Sequence, residues 1–130
     1  MSIYPTVRYN DVRAAVAHLT GAFGLTSEVV TAADDGSVGH AELSWDGGVV
    51  LLGPRSQPPG DFDTGRAVLY LHVEDVDAHH DRAVAAGAEI IYALVDQPYG
   101  SREYAARDPE GNVWSFGTYQ PASNPLSDRT

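Results

Sequence analysis

The feature that most constrains what this chain can fold into is an internal echo: its order of elements runs twice. Laid over itself at an offset of 64, Tyr4 meets Val68, Asp11 meets Asp75 and Val12 meets Val76, each pair at the same strand or helix boundary. In the first copy, residues 3–9 alternate as a half-buried strand does, with Ile3, Pro5, Val7 and Tyr9 on one side and Tyr4, Thr6 and Arg8 on the other. The period then changes. Asn10 or Asp11 can cap a helix in which Val12, Ala15, Val16, Leu19 and Phe23 recur at helical spacing, and Gly21 and Gly24 mark its end. Residues 27–31, 39–45 and 48–52 read as three strands, separated by Asp34-Asp35-Gly36 and Asp46-Gly47-Gly48, which suit tight turns.

The second copy restarts with a strand over 67–73, Glu74-Asp75 as cap, and a helix from 76 to about 86 ended by Gly87. Strands over 89–94, 102–107 and 113–119 complete it, with Asp108-Pro109-Glu110-Gly111-Asn112 as the last turn. The sequence thus predicts one α+β domain over 1–130, made of two βαβββ modules at 3–53 and 66–120. Residues 54–65, dense in Pro and Gly, form a linker, and 121–130 a flexible tail.

One helix covers only one face of a four-stranded sheet, so the other face needs a neighbour or a ligand. Parity assigns Val7, Leu43, Leu52, Leu69, Leu71, Trp114 and Phe116 to the helix-covered side. The opposite side receives Tyr4, Thr6, His40, Glu42, Leu51, Val68, Tyr70, His72 and Ser115. The expected result is a pair of curled mixed sheets around a shared small-molecule cavity, with Gly39 and Gly117 placed where backbones approach closely.

Length and composition set the remaining bounds. A chain of 130 residues buries one core, and 43% hydrophobic with 20% charged residues is ordinary for a globular domain. The formal net charge of -10 repels phosphate backbones and anionic lipid, so neither nucleic acid nor membrane is an expected partner. The same field favours a cationic guest. Cysteine is absent, which removes thiolate metal sites and cysteine nucleophiles, and no signal peptide or membrane span is visible, so the expected location is cytoplasmic. No phosphate loop, nucleophile elbow or His-x-x-x-His pattern occurs.

Several segments carry a family likeness: Tyr9-Asn10-Asp11-Val12 leading into Gly21-Ala22-Phe23-Gly24-Leu25, Gly39-His40-Ala41-Glu42-Leu43, Val73-Glu74-Asp75-Val76-Asp77, and Tyr99-Gly100-Ser101-Arg102 with Asp108-Pro109-Glu110-Gly111-Asn112. In this order, over residues 3 to about 120, the sequence resembles the vicinal oxygen chelate superfamily of glyoxalases, bleomycin-resistance proteins, fosfomycin-modifying enzymes and extradiol dioxygenases. The resemblance implies the paired-module fold and dimers in which modules of two chains face each other. It also implies a divalent metal held by a His on the first strand and a Glu on the last strand of each module, which would polarise a substrate oxygen. Here those four positions hold Tyr4, Leu51, Val68 and Ser115, and their immediate neighbours are no better as ligands. No metal and no cofactor are therefore expected.

The remaining candidates line the open side. His40 and Glu42, at i and i+2 on one strand, can act as a base and its orienting carboxylate. Tyr4, Tyr70, Arg102 and Tyr104 would supply flat walls with polar tips. With Thr6, Leu51, Val68 and Ser115 these make up the expected ligand-binding set. His72, His79 and His80 read as solvated side chains. The expected function is metal-independent binding of a small organic molecule, cationic or aromatic, such as drug or metabolite sequestration of the bleomycin-resistance type, by a homodimer. The alternative is a glyoxalase-like lyase or isomerase, or a dioxygenase-like enzyme, with a non-standard site.

Overall fold

The structure is a computed structural model and describes residues 3–121. Its elements follow the doubled order: β1 Thr6–Tyr9, α1 Val12–Phe23, β2 Thr26–Ala32, β3 Val38–Trp45, β4 Gly48–Pro54, then β5 Val68–His72, α2 Val76–Ala85, β6 Glu89–Asp96, β7 Arg102–Arg107 and β8 Val113–Gly117. Each module forms a four-stranded mixed sheet, in the order β1-β4-β3-β2 and β5-β8-β7-β6. In both, the first strand runs parallel to the last and the other neighbours are antiparallel. All but the first residue of the predicted tail lies outside the described residues, and among these no helix is long and apolar enough to cross a membrane.

Local chemistry explains the boundaries. Asp11 accepts a hydrogen bond from the Ala14 N–H at 3.0 Å and Asp75 one from Ala78 at 3.1 Å, so an aspartate caps each helix at the repeated position. Gly24, not Gly21, ends α1: it takes φ 79°, the left-handed conformation in which a side chain is strained. Arg82 of α2 reaches over it and donates to the Gly21 and Thr20 carbonyls at the end of α1.

Helix-facing side chains of both sheets merge into one core. Val7, Leu43, Leu52, Leu71, Trp114 and Phe116 are buried, as parity predicted, and Leu69 packs at the margin. Phe23 of α1 crosses to the second module, its ring centroid 4.9 Å from Phe116 and 5.9 Å from Trp114. The Trp45 indole N–H donates to the His72 carbonyl at 2.8 Å, a second tie between modules.

A third tie is polar. Asp108 is 2% exposed, and its carboxylate accepts from the Tyr9 hydroxyl at 2.6 Å, the Trp114 indole at 3.0 Å, the Asn112 amide at 3.1 Å and the backbone N–H groups of Glu110 and Asn112. Glu110, two residues on, accepts from the backbone N–H groups of Asn10 and Asp11 at 2.7 and 2.9 Å. The last turn of the second module thereby holds the strand-to-helix junction of the first. Burial beside Asp108 pushes the Tyr9 hydroxyl far above the usual phenol range, so it remains a donor.

His79 departs from expectation. It is 7% exposed rather than solvated: Nε2 donates to the Phe23 carbonyl at 2.7 Å, which fixes the tautomer, and Nδ1 accepts from the Tyr104 hydroxyl at 2.6 Å. The sequence showed the cap and the end of α2, but not that α1 and β7 close over the flank that carries His79.

Candidate functional site

Opposite the helices, each sheet presents an open face. Strand register defines the rungs of the first: Thr6, Leu51, Glu42 and Val29 stand side by side, and on the next rung Arg8 pairs with Gly53 and His40 with Thr31. The corresponding rungs of the second sheet are Tyr70, Ser115, Ala105 and Tyr92, then His72, Gly117, Glu103 and Val95. Within one chain these faces do not close on each other: Val68 is 76% and Tyr92 70% exposed.

The predicted site residues divide accordingly. Thr6, His40, Glu42 and Leu51 share the first open face, and Tyr70 and Ser115 are neighbours on the second, with Val68 one rung away. Tyr4 lies just before β1 and is half-exposed. His40 Nε2 sits 2.9 Å from Glu42 Oε2, as the i, i+2 spacing required, and both side chains reach solvent. Such a pair contributes at most about 1 kcal/mol to stability.

Two assignments are corrected. Tyr104 is 1% exposed and turned to the helix side, stacked on Phe116 and bonded to His79, where burial raises its hydroxyl above the normal phenol range. Arg102, two residues earlier on the same side of β7, pairs with Asp77 of α2 at 2.9 Å and Asp96 at 3.2 Å. The cause is a slip in the repeat. Val49 and Val113 keep the spacing of 64, but Ser44, opposite Val49, corresponds to Arg107, opposite Val113, one residue short. A one-residue shift moves every side chain of a strand to the other face.

Four residues of the open faces went unselected: Arg8, Tyr99, Glu103 and Tyr119. Arg8 crosses Gly53, where a Cβ would collide with its guanidinium, and Arg8 Nε donates to the Phe62 carbonyl at 3.1 Å. At the repeated position, a Cβ on Gly117 would lie 2.5 Å from Glu103 Cγ and 2.8 Å from the Tyr70 hydroxyl. The close approach expected at Gly117 is therefore one of side chains, while Gly39 has open space where a side chain would stand. Glycines at 53 and 117 were the sequence signal for these crossings.

Around Gly117 the second face forms a corner. Tyr99 donates to Glu103 at 2.7 Å, Tyr70 donates to the Tyr119 carbonyl, and the Tyr99 and Tyr119 rings stand at 85° with centroids 6.3 Å apart. The bond to Glu103 raises the Tyr99 hydroxyl to about 12, and burial raises that of Tyr70. Both are neutral phenols at physiological pH. An open hollow of about 550 Å³ is bounded by Tyr70, Tyr99, Glu103, Tyr119 and Pro121. A separate cleft of about 460 Å³ runs between the modules, walled by Ile3, Leu43, Trp45, Val50, Leu71 and Trp114.

The donor set does not suit a divalent cation. Leucine and valine offer no lone pair, neutral serine and tyrosine are weak ligands, and among the described residues no three His, Cys, Asp or Glu side chains are grouped to hold an ion.

Comparison with known proteins gives concordant results. Residues 3–116 match the model of the glyoxalase/bleomycin resistance protein/dioxygenase superfamily. The chain is 32% identical over 124 residues to the uncharacterized protein Mb0911c of Mycobacterium bovis, covering 89% of this chain and 82% of that one. It is similar to the crystal structure of TioX from Micromonospora sp. ML1, with TM-score 0.78 and 32% identity over 92% of this chain and 99% of TioX. Lactoylglutathione lyase from Agrobacterium tumefaciens superposes with TM-score 0.71 at 21% identity, covering 90% of this chain and 92% of the lyase, a likeness of fold alone.

Proposed function

The chain belongs to the glyoxalase/bleomycin resistance protein/dioxygenase superfamily, and from that premise we propose that it is a metal-independent binding protein for a small organic molecule. The observation that carries this reading is the donor set: Leu51 and Ser115 stand beside Thr6 and Tyr70 on the open faces, where metal-using relatives would need imidazole and carboxylate. Binding without turnover is enough to sequester a drug or metabolite in the cytoplasm. The net charge of -10 and the tyrosine walls support a cationic or planar aromatic guest, and disfavour nucleic acid and lipid surfaces.

Thermal unfolding of chelator-treated protein tests the metal-independent part. A metal site filled at about a hundred times its dissociation constant adds roughly 2.7 kcal/mol. Nickel, manganese, iron(II) and zinc should each leave the melting temperature within replicate scatter, and a saturable rise with any of them would overturn the reading.

A homodimer is part of the same proposal. Two open sheet faces carrying exposed Val29, Val68, Tyr92 and Val95 are better covered than wet, and a second copy supplies equal and complementary faces. Sedimentation at micromolar concentration should give twice the chain mass, and a monomer there would sink it.

A second reading, a glyoxalase-like lyase or isomerase, draws on the 2.9 Å contact between His40 and Glu42. In that case His40→Ala would lower kcat for a detected turnover by about a hundredfold. An unchanged rate would remove the pair from any acid or base role.

A further inference from the structure

We infer that the corner formed by Tyr70, Tyr99, Tyr119 and Glu103 is a subsite for an alkylated ammonium group. This rests on the small-molecule-binding reading above and names the part of the guest that this corner would take. Three features point to that chemistry. Two of the three tyrosine hydroxyls are already engaged, Tyr99 with the Glu103 carboxylate and Tyr70 with the Tyr119 carbonyl, so the corner offers a ligand mainly ring surface and one carboxylate. A primary ammonium needs about three acceptors to replace its water. A quaternary one has no N–H to satisfy, and gains instead from ring quadrupoles and a nearby negative charge.

The perpendicular Tyr99 and Tyr119 rings, 6.3 Å apart, form two walls of different orientation, with Tyr70 as the third. A rounded cation touches such walls on several sides, whereas a planar guest stacks on only one. Glu103 supplies the charge. Its approach depends on Gly117: any side chain at that position would push Glu103 Cγ and the Tyr70 hydroxyl out of the corner. The missing Cβ is thus a built element of the corner. Neutrality of Tyr70 and Tyr99 keeps both hydroxyls as donors, so their bonds persist through the physiological range.

The experiment is a titration followed by NMR of the full chain with benzyltrimethylammonium, and with 2,2-dimethylpropylbenzene as its neutral carbon counterpart. Saturable shifts confined to Tyr70, Tyr99, Tyr119 and Glu103, about tenfold weaker for the neutral compound and for Glu103→Gln, are expected. Tyr99→Phe, which keeps the ring, should bind within about threefold of the parent, while Tyr99→Ala should lose about tenfold. Equal affinity for the neutral compound, no loss in Glu103→Gln, shifts elsewhere, or no saturable response would each overturn the subsite. A planar aromatic that binds the parent and Glu103→Gln alike, away from the corner, would overturn the subsite and leave the broader binding reading standing. Melting curves of each variant distinguish a lost contact from a lost fold.

Discussion

Replacing Asp108 by alanine should lower the unfolding free energy by about 3 kcal/mol or more, with a fall in melting temperature of roughly 10 °C. The cause is the number of donors left behind. Tyr9, Trp114 and Asn112 would lose their acceptor in a dry core, as would two backbone N–H groups of the turn. Each stranded buried donor costs about 1–3 kcal/mol, and neighbours that relax together keep the total below the plain sum. Asp108→Asn is expected to be only partly rescuing, because its amide presents donors to the Trp114 indole N–H. Urea unfolding with an unchanged m-value would check this, and a loss under about 1 kcal/mol for the alanine variant would show that the hub matters little.

The second large effect concerns His79. Burial holds its pKa below the ordinary imidazole value, and the Arg82 charge acts in the same direction, against the opposing hydrogen bond to Phe23. The unfolded chain therefore binds a proton that the folded one resists. Stability from this group is complete above the unfolded value of about 6.5 and is lost as pH falls from there through the lower folded value. His18, whose imidazole is likewise lowered by burial against a smaller opposing effect of Asp108, adds to the slope. Among groups facing His79, Tyr104 has its hydroxyl raised and does not titrate in this window. His79→Leu should cost about 2–4 kcal/mol at neutral pH, since the Tyr104 hydroxyl and the Phe23 carbonyl lose their partner. It should also flatten the acid side of the stability curve relative to the parent. An equally steep curve would mean that other groups set the acid limit.

Local patterning carried most of the fold into view from the sequence. Asp11 and Asp75 cap helices at the repeated position, β7 spans the predicted residues 102–107, and the parity of β1, β4, β5 and β8 places their side chains correctly. What failed was the parity of β7, where polar residues on both faces of Arg102–Arg107 left the open side unmarked. Two residues, Asp46 and Gly47, join β3 to β4, whereas 108–112 join β7 to β8, and the difference turned Tyr104 and Arg102 toward α2. His79 was misread for a related reason. Periodicity describes one helix and its own sheet, while Phe23 and Trp45 come from the other module to close over the ring. The His40 and Glu42 pair was legible because both residues sit on one unbroken strand.

The hold that Asp108 and Glu110 exert on Tyr9, Asn10 and Asp11 spans about a hundred residues of chain, from nearly the first strand to nearly the last. During synthesis at about 5–20 residues per second, β1 and the start of α1 therefore wait several seconds for the partners that complete them. For that interval the early half is a nascent segment with an unsatisfied end. These contacts can form only once the final hairpin has left the ribosome, so the tie between the two modules is the last part of this junction to close.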